Sequence, residues 1–268
     1  MFPTLKLEVE RVKENILGYD VEALSVCACA DEIDDLLRTN SKARRDCGWL
    51  ACMNPHSYVL SLGDDLFSQA LKGAEWLVAD GIGIVLASRI LGGAIPERVT
   101  GSDIFHKLNE RMNVTGGMSV FFIGSTKETL ELICKRMAID YPNILIAGTY
   151  SPPFKSIYTD AELNSMIDAI NAKAPDVLWV GMTAPKQEKW IYQNRNRLKV
   201  KFAGAIGGAF DFYSGRVKRS NPIFQRHGLE WLPRLLQQPK RLWRRMFISA
   251  PIFIWHVAQE YILNYSRK

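Results

Sequence analysis

Trp76-Leu-Val-Ala-Asp80-Gly-Ile-Gly-Ile-Val85 is the stretch whose reading decides the fold. Its apolar lead-in reads as a buried strand, which puts Asp80 at the strand's carboxyl edge and a glycine-containing turn directly after it. Open α/β sheets bind their ligands in the crevice beyond those strand ends. A second polar block, Pro96-Glu-Arg-Val-Thr-Gly-Ser-Asp103, follows where such a fold keeps its ligand. Asp80 therefore has two readings, a turn-stabilising carboxylate or a group that takes a proton from a substrate.

Outward from this stretch, short apolar runs recur with amphipathic segments between them. Strands are expected at Trp49–Met53, Trp76–Ala79, Met118–Ile123, Ile144–Ala147, Val177–Val180 and Phe202–Ile206. Helical spacing marks Leu60–Leu71, Lys127–Met137, Ala161–Ala172 and Lys186–Leu198. The alternation, with strands that are apolar throughout, predicts a mostly parallel sheet covered by helices on both faces, a Rossmann-like α/β core. Ser125-Thr-Lys-Glu128 reads as a capping box with Ser125 as N-cap, and Thr183 and Pro185 stand at another helix start. Cys27 and Cys29, read on a strand, share one face. After about Ser214 the alternation stops and the chain becomes basic and aromatic, with Pro222, Pro233 and Pro239 dividing it into short helices. Residues 1–215 are thus read as the core and 216–268 as a helical appendage.

The composition, with 47% hydrophobic and 23% charged residues, is that of a globular protein. Five cysteines without metal-ligand spacing, and no charged-then-apolar leader, place the chain in a reducing cytoplasm with free thiols. The formal net charge of +6 is concentrated between Arg216 and Arg245, where only Glu230 opposes the basic residues. That segment calls for an anionic partner: phosphate, a lipid surface or nucleic acid.

Several chemistries are excluded by their missing motifs. Gly81-Ile-Gly83 would need glycine at Leu86 to complete a dinucleotide fingerprint, and the chain has neither a P-loop nor a Gly-x-Ser-x-Gly elbow. His56, His106, His227 and His256 are scattered and read as incidental. No Asp-x-Asp triplet is present, so an enzyme handling a nucleotide diphosphate here would neutralise its leaving group with cationic side chains or helix termini. Arg234, Arg241 and Arg244 would share one helix face if Pro239 only kinks the chain; the alternative is a solvated basic face.

Six blocks in order carry a resemblance. They are Asn54-Pro55, Ala79-Asp-Gly-Ile-Gly-Ile-Val85, Pro96–Asp103, Gly181-Met-Thr-Ala-Pro-Lys-Gln-Glu188, Gly204-Ala-Ile-Gly-Gly-Ala-Phe-Asp-Phe-Tyr-Ser-Gly215 and Gly228-Leu-Glu-Trp-Leu-Pro-Arg-Leu235. Together they resemble the WecG/TagA/CpsF family of bacterial glycosyltransferases, from about residue 18 to residue 246. The resemblance implies a metal-independent, cofactor-free, inverting transfer from a UDP-sugar to a polyprenyl-diphosphate-linked saccharide in cell-surface polysaccharide synthesis. It implies Asp80 as catalytic base. It also implies Asn54, Arg98, Thr100, Asp103, Gln187 and Asp211 as substrate-binding residues, with Arg234, Arg241 and Arg244 supplied by the appendage. Cys52 departs from the family's usual Thr and removes a hydroxyl from the pocket. The resemblance is compatible with a homo-oligomer. The competing readings are a UDP-sugar or lipid-diphosphate binding module without catalysis, and a nucleic-acid binder using the arginines with Trp231 and Trp243. No nucleic-acid motif supports the latter, and no nucleic-acid partner is expected.

The tail Met246–Leu263 is apolar but interrupted by Pro251, His256, Gln259 and Glu260, which makes it a poor spanning helix. Its aromatics and the preceding arginines suit a helix lying in the headgroup region, at the inner face of the plasma membrane; the alternative is a tail packed on its own core or on a subunit.

Overall fold

The computed structural model describes residues 12–39, 47–217 and 243–266. Its centre is a sheet of six parallel strands: β3 (Gly48–Met53), β4 (Trp76–Ala79), β5 (Ser119–Gly124), β6 (Leu145–Tyr150), β7 (Val177–Gly181) and β8 (Phe202–Ala205). Their spatial order is β4-β3-β8-β7-β5-β6. A small antiparallel hairpin precedes them, β1 (Lys13–Ile16) and β2 (Tyr19–Glu22). Its two-residue turn, Leu17-Gly18, has positive φ at both positions, as a tight twisted hairpin requires.

The strand side chains alternate between two apolar layers, as the pleat dictates. Trp49, Ala51 and Met53 of β3 join one layer, and Leu50 joins the other. The first layer is closed by α2 (Pro55–Ser61), α3 (Asp65–Lys72), α4 (Ile82–Ile90), α7 (Asp160–Asn171) and α8 (Lys186–Asn194). The second is closed by α1 (Val26–Arg38), α5 (Gly101–Thr115), α6 (Lys127–Asp140) and α9 (Ala209–Tyr213). A π-helical turn, Arg245–Ser249, runs into α10 (Ala250–Ser266), which seats Phe253 and Val257 in the first layer.

All six expected strands are present, five within one residue at either end and β6 running three residues past the expected Ala147, and the doubly covered parallel sheet is the architecture expected. Several local expectations are corrected. Cys27 and Cys29 lie on α1, not on a strand. The stretch Leu60–Leu71 is two helices, broken where Asp64 caps α3 through the Phe67 N–H. Thr126, not Ser125, caps α6, and Ser125 sits just before it at φ 57°. The tail is one continuous helix from Arg245 to Ser266, whose 18-residue apolar window has a mean hydropathy of 1.2; by length and composition it is long enough to cross a membrane. Pro251 does not interrupt it, because the wide π turn stands where its ring would crowd the preceding carbonyls. Pro222, Pro233 and Pro239 lie outside the described residues.

Gly204 on β8 lies against a tryptophan of the neighbouring strand β7. A Cβ there would lie 2.4 Å from Cζ3 of the fully buried Trp179. Gly204→Ala should therefore lower the free energy of unfolding by about 1–3 kcal/mol, measured by urea denaturation; an unchanged midpoint would mean that Trp179 has room to move.

Candidate active site at the carboxyl edge of the sheet

Because every strand of the large sheet runs the same way, its carboxyl ends share one edge. β3 and β4 pair with Met53 opposite Ala79, so the residues that follow, Asn54 and Asp80, emerge side by side. The Asp80 N–H bonds back to the Met53 carbonyl at 2.8 Å and ties the two strand ends together. Gly81 has φ 105°, a backbone state that side chains rarely adopt, and it turns the chain into α4. Gly83 faces Pro55, where a Cβ would lie 2.6 Å from the proline ring. The two glycines thus serve the turn and its packing rather than a dinucleotide.

The orientation of Asn54 is fixed by capping. Its Oδ1 accepts from the N–H groups of His56 and Ser57 at the start of α2, and Ser57 returns a bond to the Asn54 N–H. That leaves Nδ2 to donate to Asp80 Oδ2, at 3.3 Å. The Asp80 carboxyl is half-buried. Burial pushes its pKa above the ordinary value, with the Asp103 charge acting in the same sense. The Asn54 hydrogen bond and the charges of Arg98 and Arg245 oppose that shift.

The loop before α5 lies along the end of β4 through a bond from the Val99 N–H to the Ala79 carbonyl, which flanks Asp80 with Arg98 and Thr100. Thr100 and Asp103 form a reciprocal capping box, so each satisfies the other. Gly101 between them packs on Ile206, just beyond β8. Cys52 is in the same neighbourhood. Burial, then the Asp80 and Glu188 charges, push its thiol well above the ordinary range, so it stays protonated.

Gln187 and Glu188 enter from the first turn of α8, which follows β7. Both are buried, and Gln187 Nε2 donates to Glu188 Oε1 at 2.9 Å. Among the described residues, Gln187 Oε1 and Glu188 Oε2 have no hydrogen-bond partner. Burial pushes Glu188 up to about 7, against the bond from Gln187. Asp211 follows β8 in the first turn of α9, half-buried at the same edge.

Of the expected site residues, Asn54, Asp80, Arg98, Thr100, Asp103, Gln187 and Asp211 all stand along this edge. Arg244 is the exposed residue that opens the π turn. Arg234 and Arg241 lie outside the described residues, as does Trp231. Among the described residues, no three His, Cys, Asp or Glu side chains group as metal ligands.

Two histidines read as incidental are not. His56 Nδ1 bonds Ser249 Oγ at 2.8 Å, and His256 Nδ1 bonds the Tyr58 hydroxyl at 2.6 Å, so both join α2 to the C-terminal helix. Phe253 meets the Tyr58 ring edge-on at 5.4 Å between centroids. The signal for this was Asn54-Pro55, an N-cap followed by proline at the first helical position, which places His56 and Tyr58 on a helix.

The comparisons with known proteins agree with this arrangement of blocks. The family described as "Glycosyl transferase WecG/TagA/CpsF family" matches residues 14–267. A Bacillus spizizenii protein named N-acetylglucosaminyldiphosphoundecaprenol N-acetyl-beta-D-mannosaminyltransferase is 32% identical over 206 residues, 77% of each chain. A Staphylococcus aureus protein of the same name is 27% identical over 256 residues, 96% of each chain. A match spanning nearly every described element, on the parallel α/β fold expected, establishes the membership: this chain belongs to the WecG/TagA/CpsF family of glycosyltransferases.

Proposed function

We propose that this chain transfers a hexosyl group from a UDP-sugar to a polyprenyl-diphosphate-linked saccharide, inverting the anomeric carbon without a metal ion. The observation that carries this reading is the Asp80 carboxyl, half-buried at the ligand-binding edge, held by Asn54 and within the field of Arg98 and Arg245. The relatives' names support the acceptor class, since theirs is N-acetylglucosaminyl-diphospho-undecaprenol. The β configuration in those names is also what inversion of an α-linked nucleotide sugar yields.

The acceptor hydroxyl oxygen attacks the anomeric carbon while the bond from that carbon to the diphosphate oxygen breaks. Asp80 takes the hydroxyl proton, and the bonding electron pair leaves on the diphosphate. The growing negative charge is met by guanidinium groups, which bind phosphate oxygens in pairs. Arg98 from the core, with Arg234, Arg241 and Arg244 from the basic segment, are assigned that part. Asn54, Gln187 and Asp211 contact the substrates, and Thr100 and Asp103 frame the pocket by holding the start of α5. Cys52, a neutral thiol, occupies space there and is not a nucleophile.

The membrane supplies the acceptor. The C-terminal helix exposes Ile254, Trp255, Ile262 and Leu263 while Phe253 and Val257 anchor it. We assign that exposed face to the headgroup region at the cytoplasmic surface, with the protein bound peripherally.

The function is tested by acceptor-dependent UDP release from a panel of UDP-sugars, with N-acetylglucosaminyl-diphospho-undecaprenol in detergent. One donor, with UDP-N-acetylmannosamine the first to try, should give release. Binding of UDP without release from any donor would favour the binding-module reading. The base must be ionised to act, so kcat/KM should fall as pH drops through the raised Asp80 pKa, with its acid limb above the ordinary aspartate value of about 4. For the membrane face, Trp255→Glu with Ile262→Glu should weaken binding to phosphatidylglycerol-containing vesicles without lowering Tm; unchanged binding would remove the face from that role.

A further inference from the structure

α2 connects the two halves of the site. Just before its first residue, the Asn54 cap holds Asp80. From its first turn His56 and Tyr58 reach the C-terminal helix, 193 and 198 residues away in sequence. Ser249, the His56 partner, is buried and closes the π turn that begins at Arg245. The Arg245 side chain, at the start of that π turn, is near enough to both His56 and Asp80 for its charge to act on each. π-helical turns are uncommon and concentrate at functional sites, because the extra residue per turn re-aims side chains.

We infer that His56 and Ser249 are positioning residues that lock the π turn onto α2 and thereby hold Arg245 over the Asp80 cleft, as a further arginine for the departing diphosphate. The inference rests on the transferase reading above. Three features favour a built latch over incidental packing. The hydrogen bond joins two partly or fully buried groups, and a second, Tyr58 to His256, repeats it two turns further along the tail helix. Phe253 fills the space between them, buried against Tyr58. The imidazole is also kept uncharged. Burial first, then Arg245 and Arg244, hold His56 down to about 4, so it does not repel the guanidiniums it positions.

The test is a double-mutant cycle on transfer activity, combined with hydrogen exchange. His56→Ala and Ser249→Ala each remove the same bond from opposite sides, so a folding failure in one leaves the other to report. Each should lower kcat about tenfold while the donor KM stays within about twofold, and His56→Asn, which can still bond Ser249, should restore most of the loss. Arg245→Ala should lower kcat at least as far. His56→Ala added to Arg245→Ala should cost nothing more, because the histidine acts through the arginine. Exchange at Arg245–Ser249 should quicken in His56→Ala while β3 and β4 stay protected. Wild-type kcat in His56→Ala and Ser249→Ala, or losses that multiply with Arg245→Ala, would overturn the inference. Absence of transfer by the wild-type protein would instead count against the transferase reading, and unchanged exchange at Arg245–Ser249 in His56→Ala would still overturn the latch.

Discussion

The side chain of Asn54 is the joint on which the site depends. Its oxygen is committed to two N–H groups of α2, so its nitrogen has one direction left, toward Asp80. That geometry requires the parallel register of β3 and β4, which sets Met53 opposite Ala79. It also requires the open backbone of Gly81, which turns the chain away before it can cover the carboxylate. Sheet, cap and turn together produce a half-buried acid with an amide donor on one side and cationic side chains nearby. An isolated aspartate at a turn would have none of these constraints.

The sheet was legible because its strands are apolar on both faces, and six runs such as Val177-Leu-Trp-Val180 stand out without any alternation to average. Helices were legible only where one face is polar. Ile82–Ile90 is nearly apolar all round, so α4 gave no periodic signal. The start of α5 lies inside Pro96–Asp103, where Thr100 and Asp103 read as pocket residues although they cap each other. Ser125 was displaced as a cap by its neighbour Thr126, since two adjacent hydroxyl residues offer the same local chemistry and only the backbone decides between them.

Asn54 and Asp80 could be placed from the sequence because each directly follows an apolar strand, whereas Arg98 follows α4 and comes to the same edge through the Val99–Ala79 bond. Glu188 could not be read as a buried acid, since Lys186-Gln-Glu-Lys189 looks like a solvated helix start and only the packing of α8 buries it. The latch was invisible for a stronger reason. His56 and Ser249 are 193 residues apart, and no local pattern couples a histidine in a first helical turn to a serine near the far end of the chain. The tail's apolar composition announced a surface helix, but not that Phe253 and Val257 would seat it on α2 and the core. The same helix thus carries an inner face that completes packing and an outer face, with Ile254 and Trp255, left to other contacts.

The central claim is that the Asp80 carboxylate takes the acceptor's proton. The most direct measurement is the turnover of Asp80→Asn under saturating donor and acceptor, with UDP affinity and Tm measured on the same protein. The substitution keeps the side chain's shape and removes its basicity, so turnover should fall by about a hundredfold or more while UDP binding and folding persist. Turnover within a fewfold of wild type would contradict the account and leave Asp80 as a turn residue beside a base located elsewhere.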